Sequence, residues 1–259
     1  MHIKILILIA FGLFSKTFAQ DIQFREDIDK DSLLTVSLQN FPEDYQKDFL
    51  EIYKTGNEGE KSFLLFMLSL PRSSKIELVE NYEKNQTKIE NLISEYLKMI
   101  PKNYVIDIEF EPENKIFTIP EQITIKIFKI KDEDEKDDES NEVQRSDNLK
   151  IISINRDLRW GSEELLTVLN SIDWTNETLL NLKKLLEEAN CVSIKNGEII
   201  NVGFARSGMG KYYYNFFKNS LNNNQIKQYN DGCNYIYYKN NVVLEYGGGA
   251  IGPQCFEKD

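Results

Sequence analysis

Histidine is all but missing from this sequence. The one His in 259 residues is His2, inside a segment that reads as removable. A chain without histidine lacks the commonest general base, both the Ser-His and the Cys-His nucleophile pairs, and the commonest zinc ligand. What remains open is carboxylate chemistry, lysine chemistry, or none. Cysteine is scarce too. Cys191, Cys233 and Cys255 lie too far apart for a CxxC redox or zinc motif, so neither a transition metal nor any other cofactor is expected. Positive charge is in deficit, with 31 Lys and Arg against 42 Asp and Glu, a net charge of -11. Phosphate backbones need a cationic surface, so nucleic acid is not an expected partner.

Long apolar runs are also lacking after the first residues. Lys4 precedes Ile5 to Phe14 (ILILIAFGLF), and Thr17-Phe18-Ala19 ends in a small residue. These are the three parts of a secretory signal peptide, here residues 1–19. The apolar core is short of the roughly 18 to 20 residues that cross a bilayer. Cleavage would leave Gln20 or Asp21 first, and the mature chain is expected to have no membrane span. Removing Lys4 and Lys16 takes the 31 basic residues to 29 against 42 acidic ones, a net charge of -13. The bias toward Lys, Asn and Ile is that of an AT-rich bacterial genome. The expected location is therefore the periplasm or the exterior.

In an oxidising compartment three cysteines imply one disulfide and one thiol left over. Cys233 opens a hairpin whose partner strand ends at Tyr246, and the glycine-rich stretch after it can bring Cys255 back. The expected bridge is Cys233–Cys255, with Cys191 packed as a small apolar residue after a helix.

Residues 20–41 read as a leader with one short strand, Leu33 to Leu38. Residues 42–130 read as an α+β unit. Helical spacing begins at Pro42, Lys61 to Leu70 is an apolar helix, and a long helix runs from Ser73 or Ser74 to Pro101. Ile76, Val79, Tyr82, Ile89, Ile93, Tyr96 and Ile100 form its stripe. The period then changes to two, with strands at Val105 to Phe110, Ile116 to Ile119 and Ile123 to Ile130. Residues 131–148 (KDEDEKDDESNEVQRSDN) are too charged to bury a core and read as an acidic linker. They lack the spacing and the glycine of a calcium loop. Residues 149–259 read as a second α+β unit. A short strand, Ile151 to Ile154, precedes helices at Ser162 to Leu169 and after Thr175. Then come a hairpin across Asn196-Gly197, a strand at Tyr212 to Phe217, a short polar helix or loop at Leu221 to Tyr229, and a hairpin across Asn240-Asn241. The fold class expected is α+β, its C-terminal unit holding two helices and a mostly antiparallel sheet of about five strands.

The most site-like stretch is Arg206 to Lys211 (RSGMGK). Its glycines let backbone approach a ligand, and its two cations suit an anion. A phosphate loop needs Gly where Ala205 stands and Ser or Thr where Tyr212 stands. The dinucleotide pattern needs Gly at Tyr213. A serine-hydrolase elbow fails at Ala205 and Met209. The simpler reading of the stretch is a tight, glycine-assisted turn between two strands. Beyond it, Tyr212 and Tyr214 share one strand face, as a platform for sugar or protein or as plain cross-strand packing. Arg206, Ser207, Gly208, Gly210, Lys211, Tyr212 and Tyr214 are thus the candidate ligand-binding residues. Asp231 and Glu245 are the carboxylates near the glycine loops. The functional expectation is a non-catalytic binding protein with a protein or glycan partner. A carboxylate-dependent hydrolase of surface glycans, or an immunity protein against a basic toxin, are the alternatives.

Overall fold

A computed structural model describes residues 23–131, 148–247 and 255–256. The proposed signal peptide and most of the acidic segment fall outside the described residues. The chain divides into two compact units, Met1–Pro71 with Glu113–Pro120, and Arg72–Pro112 with Glu121–Asp259.

The first unit holds α1 (Lys30–Leu38), α2 (Glu43–Thr55) and α3 (Glu58–Leu68). Asp29 caps α1 by accepting the amides of Asp31 and Ser32, and Asn57 with Glu60 forms a capping box on α3. Leu33 to Leu38, expected as a strand, is helical. Leu34 and Leu38 stand four apart on one helix face and bury themselves with Leu64, Leu65 and Leu68, a pairing that a strand does not provide. Residues Ile116 to Ile119 form no strand either. Phe117 makes an isolated bridge to Phe24 and packs its ring on Phe24 and Phe66.

The second unit opens with α4 (Lys75–Met99), capped by Ser74 and Glu77 and stopped before Pro101. Its buried face is Leu78, Asn81, Tyr82, Asn85, Ile89, Leu92 and Tyr96. This face is rotated from the expected stripe: Ile76 is 67% exposed, and two asparagines lie in the core instead. They are satisfied there. Asn81 Nδ2 donates to Tyr214 Oη at 3.1 Å, Tyr214 Oη donates to the Leu78 carbonyl at 2.7 Å, and Asn85 Nδ2 donates to Asn81 Oδ1 at 2.8 Å.

After α4 come β1 (Tyr104–Glu111), β2 (Gln122–Ile130), β3 (Leu149–Leu158), α5 (Glu163–Asn170), α6 (Asn176–Glu188), β4 (Ser193–Lys195), β5 (Ile199–Ser207), β6 (Gly210–Phe217), α7 (Asn223–Gln228), β7 (Tyr235–Lys239) and β8 (Val242–Gly247). The fold is α+β with an antiparallel sheet, and the sheet has eight strands, not about five. Its order is β3-β2-β1-β4-β5-β6-β8-β7. The difference arises because β1 pairs with β2 on one side and β4 on the other, while β2 pairs with β3. Strands on both sides of the acidic segment therefore join one sheet. Periodicity reveals strands but not their partners.

Register sorts the two faces. Ile125, Ile108, Ile194, Val202, Tyr214, Leu244 and Ile236 form one row across seven strands. This row packs with α4, α5 and α6 into one core, joined by Trp174, whose Nε1 donates to the Met99 carbonyl at 2.7 Å. The next row is Thr124, Glu109, Ser193, Gly203, Tyr213, Glu245 and Tyr235. Successive strand residues point to opposite sides, so this polar row lines the face away from α4, α5 and α6.

Candidate functional site

The polar face is organised by Glu109. On β1, Asp107, Glu109 and Glu111 alternate with Ile106, Ile108 and Phe110, so three carboxylates share the face opposite α4, α5 and α6. Glu109 is buried, and its two oxygens are each taken by a cation. Arg206 Nε donates to Oε1 at 3.0 Å and Lys211 Nζ donates to Oε2 at 3.0 Å. Arg206 Nη2 also reaches Glu111 Oε1 at 2.7 Å. Lys211 Nζ donates further to Ser193 Oγ at 2.9 Å and lies 4.8 Å from the centre of the Tyr213 ring. Beside this cluster, Lys126 Nζ donates to Asp107 Oδ2 at 2.7 Å.

Two local features bring the cations here. A register shift between Gly203 and Ala205 places Ala205 opposite Tyr212 and Arg206 opposite Lys211. Such a bulge turns the following side chains to the other face, and it puts Arg206 on the same side as Lys211. Gly203 then leaves room for the lysine stem. A Cβ there would meet Ser193 Oγ at 2.0 Å and Lys211 Cε at 3.2 Å.

Further along the same face, Asn201 Nδ2 donates to Asn215 Oδ1, and Asn215 Nδ2 donates to Glu245 Oε2 at 2.7 Å. Burial raises the Glu245 carboxyl above its ordinary value, against the hydrogen bond from Asn215 and the pull of Lys195. Burial likewise raises Glu111, with Arg206 opposing it. Tyr213, Tyr235 and Tyr237 are half-buried here, and Phe217, Tyr229 and Tyr235 stack edge-on at 4.8 and 5.5 Å.

The seven candidate residues divide. Arg206 and Lys211 meet at Glu109, their charges already matched by carboxylates. Ser207 Oγ donates to the Ser73 carbonyl at 2.8 Å and accepts the Ser73 amide. Gly208 takes a positive φ of 58° in the turn, and Gly210 lies under the Tyr246 ring. Tyr212 and Tyr214 belong to the opposite face and are buried, Tyr212 stacked on Tyr246 at 4.3 Å. The sequence reading missed Glu109, Glu111, Ser193 and Asn215. The signal was present in β1, where acids alternate with apolar residues.

Cys233 and Cys255 are bridged, with Cα atoms 4.1 Å apart. The Phe256 amide donates to the Cys233 carbonyl at 2.8 Å, and the Phe256 ring lies against Tyr212 and Tyr246. Cys191 is a buried free thiol, pushed up by desolvation. Asp231, the other carboxylate singled out, accepts the amides of Cys233 at 2.8 Å and Tyr235 at 3.0 Å. Among the described residues no group of three or more His, Cys, Asp or Glu is placed to hold a metal ion. Among them, too, no helix is long and apolar enough to cross a membrane. Comparison with protein-family models, curated proteins and solved structures returns no match.

Proposed function

We propose that this chain is an exported bacterial protein that binds a partner, protein or glycan, without catalysing a reaction. The observation that carries the reading is how the polar face spends its charge. Glu109 is divided between Arg206 and Lys211, and Asp107 is paired with Lys126. At the β6-β8-β7 end the same face carries the half-buried tyrosines Tyr213, Tyr235 and Tyr237. Such rings offer large contact area at low conformational cost. Support for export comes from residues 1–19 and from the disulfide, a bond that persists in oxidising compartments.

The test uses the mature chain, immobilised and exposed to a glycan array and to culture fluid of its own host. A partner retained by the wild type and lost by a Tyr235→Ser/Tyr237→Ser variant is expected. Equal retention by both overturns the reading of this face. Intact-mass measurement of protein from the host should give an N-terminus near Gln20 or Asp21, and a chain starting at Met1 would overturn export.

A hydrolase of surface glycans is the second reading, and Glu245 is what favours it. A carboxyl that keeps its proton above the ordinary range suits a general acid. Glu245→Gln separates the two: an enzyme loses turnover with it, while a binding protein keeps its partner.

A further inference from the structure

The two edges of the sheet are finished differently. At the β7 edge, Asp231 Oδ1 accepts the backbone N–H of Tyr235 at 3.0 Å and Asn230 Oδ1 accepts that of Tyr237 at 3.1 Å. Residues two apart on an edge strand send their N–H groups the same way. The outward donors of β7 are thus capped by side chains, a device that keeps other strands from adding.

Among the described residues, no side chain caps a backbone N–H of β3 in this way. Its ten residues pair with β2 alone, and among the described residues no strand lies on its other side. Ile151, Ile152 and Ile154 are 58%, 47% and 47% exposed. Register sets Ile151 opposite Phe128 and Ile154 opposite Lys126, which continues the face opposite α4, α5 and α6 to the edge, with exposed Ile130 beside it. Three exposed isoleucines on a strand whose outer side no described strand occupies form a surface that pairing would stabilise.

We propose that β3 takes an extended segment of a partner protein as an added strand, one with β-branched residues at its centre and carboxylates at its ends. The charges choose the occupant. Lys150 and Arg156, both exposed, bracket the isoleucines, and Arg159 follows them. Asp157 is the one acid within β3. An acid-flanked strand meets both cations. A second copy of the chain does not: antiparallel pairing centred on Ser153 sets Lys150 against Arg156 twice, and directly opposed like charges destabilise a strand pair. This edge lies at the opposite end of the sheet from Tyr235 and Tyr237, so this proposal and the reading of that face can fail separately.

The test uses the full purified chain, isotope-labelled, with two synthetic nonapeptides, EEVTVTVEE and KKVTVTVKK. Backbone amide shifts and added exchange protection confined to β3 are expected, with the glutamate peptide bound about tenfold tighter than the lysine peptide. The exposed double variant K150E/R156E, with its fold checked by circular dichroism, should reverse that preference. Shifts centred elsewhere, equal affinity for both peptides, or no shift at millimolar peptide would overturn the proposal. So would a dimer joined through β3 in sedimentation.

Discussion

Gly203 and Ser193 face each other across the β4–β5 pair with no room for one more carbon: the Cβ that Gly203 lacks would sit 2.0 Å from Ser193 Oγ. The space is taken by Lys211, whose stem passes over Gly203 to reach Glu109. Gly203→Ala should therefore cost about 3 kcal/mol in urea unfolding, the range of an overpacked site without slack. Ser193→Gly removes the nearest obstacle. The double variant should be less destabilised than the two losses added, the sign of direct coupling. Strict additivity would show that the crowding is relieved some other way.

Lys211→Met tests the buried ion pair. It leaves Glu109 buried with Arg206 as its one remaining cation. Breaking one side of a buried pair costs about 3–5 kcal/mol, and Glu109→Gln in the same chain should return part of that loss by removing the stranded charge. Arg206 is more exposed than Lys211, so Arg206→Met should cost clearly less. Equal losses for the two cations would mean that burial does not set the energetics here.

Much of the fold was legible because it is written locally. Ser74, one of the two serines that could start the long helix, caps it, and Thr175 caps the helix that follows it, while the hairpin across Asn240-Asn241 follows from a residue that tolerates positive φ. The disulfide was legible because a hairpin end fixes where Cys233 lies. The eight-stranded order was not, since alternation in β1 is equally satisfied by any neighbour. Leu33 to Leu38 shows the same limit: its helix is selected by Leu64 and Leu65, residues outside the window that periodicity reads. At the polar face, Lys211 was visible as a cation, but its partner Glu109 is 102 residues away. The bulge that turns Arg206 toward that partner leaves no mark in composition.

The buried carboxyl of Glu245 sets a pH dependence. Burial raises its folded value above the ordinary 4.5, so the folded chain holds this proton more tightly than the unfolded chain. Stability is then greatest below the ordinary value, falls as pH climbs through the folded value, and levels off above it. Glu245→Gln keeps an acceptor for Asn215 Nδ2 and removes the titration. The variant should show a flatter profile and a higher melting temperature at neutral pH than the wild type, with little difference in acid. A profile parallel to the wild type would contradict the assignment.

The bridge between Cys233 and Cys255 should stabilise the C-terminal end of the sheet and leave the third cysteine untouched. The bonded residues are 22 apart in sequence. Closing a loop of that size restricts the unfolded chain by about 3 kcal/mol. Removing the bridge as Cys233→Ser/Cys255→Ser should lower stability by about that amount. It should also loosen Phe256 from Tyr212 and Tyr246, because the Phe256 amide is held by the Cys233 carbonyl itself. Exchange protection at the Phe256 amide should fall first. Cys191 is buried with its thiol hydrogen directed to the Ala189 carbonyl, and burial keeps it from forming the reactive thiolate. A thiol reagent should therefore leave Cys191 unmodified in the folded wild type and label it only on unfolding. Rapid labelling of Cys191 in the native protein, or a double serine variant as stable as the wild type, would contradict this arrangement.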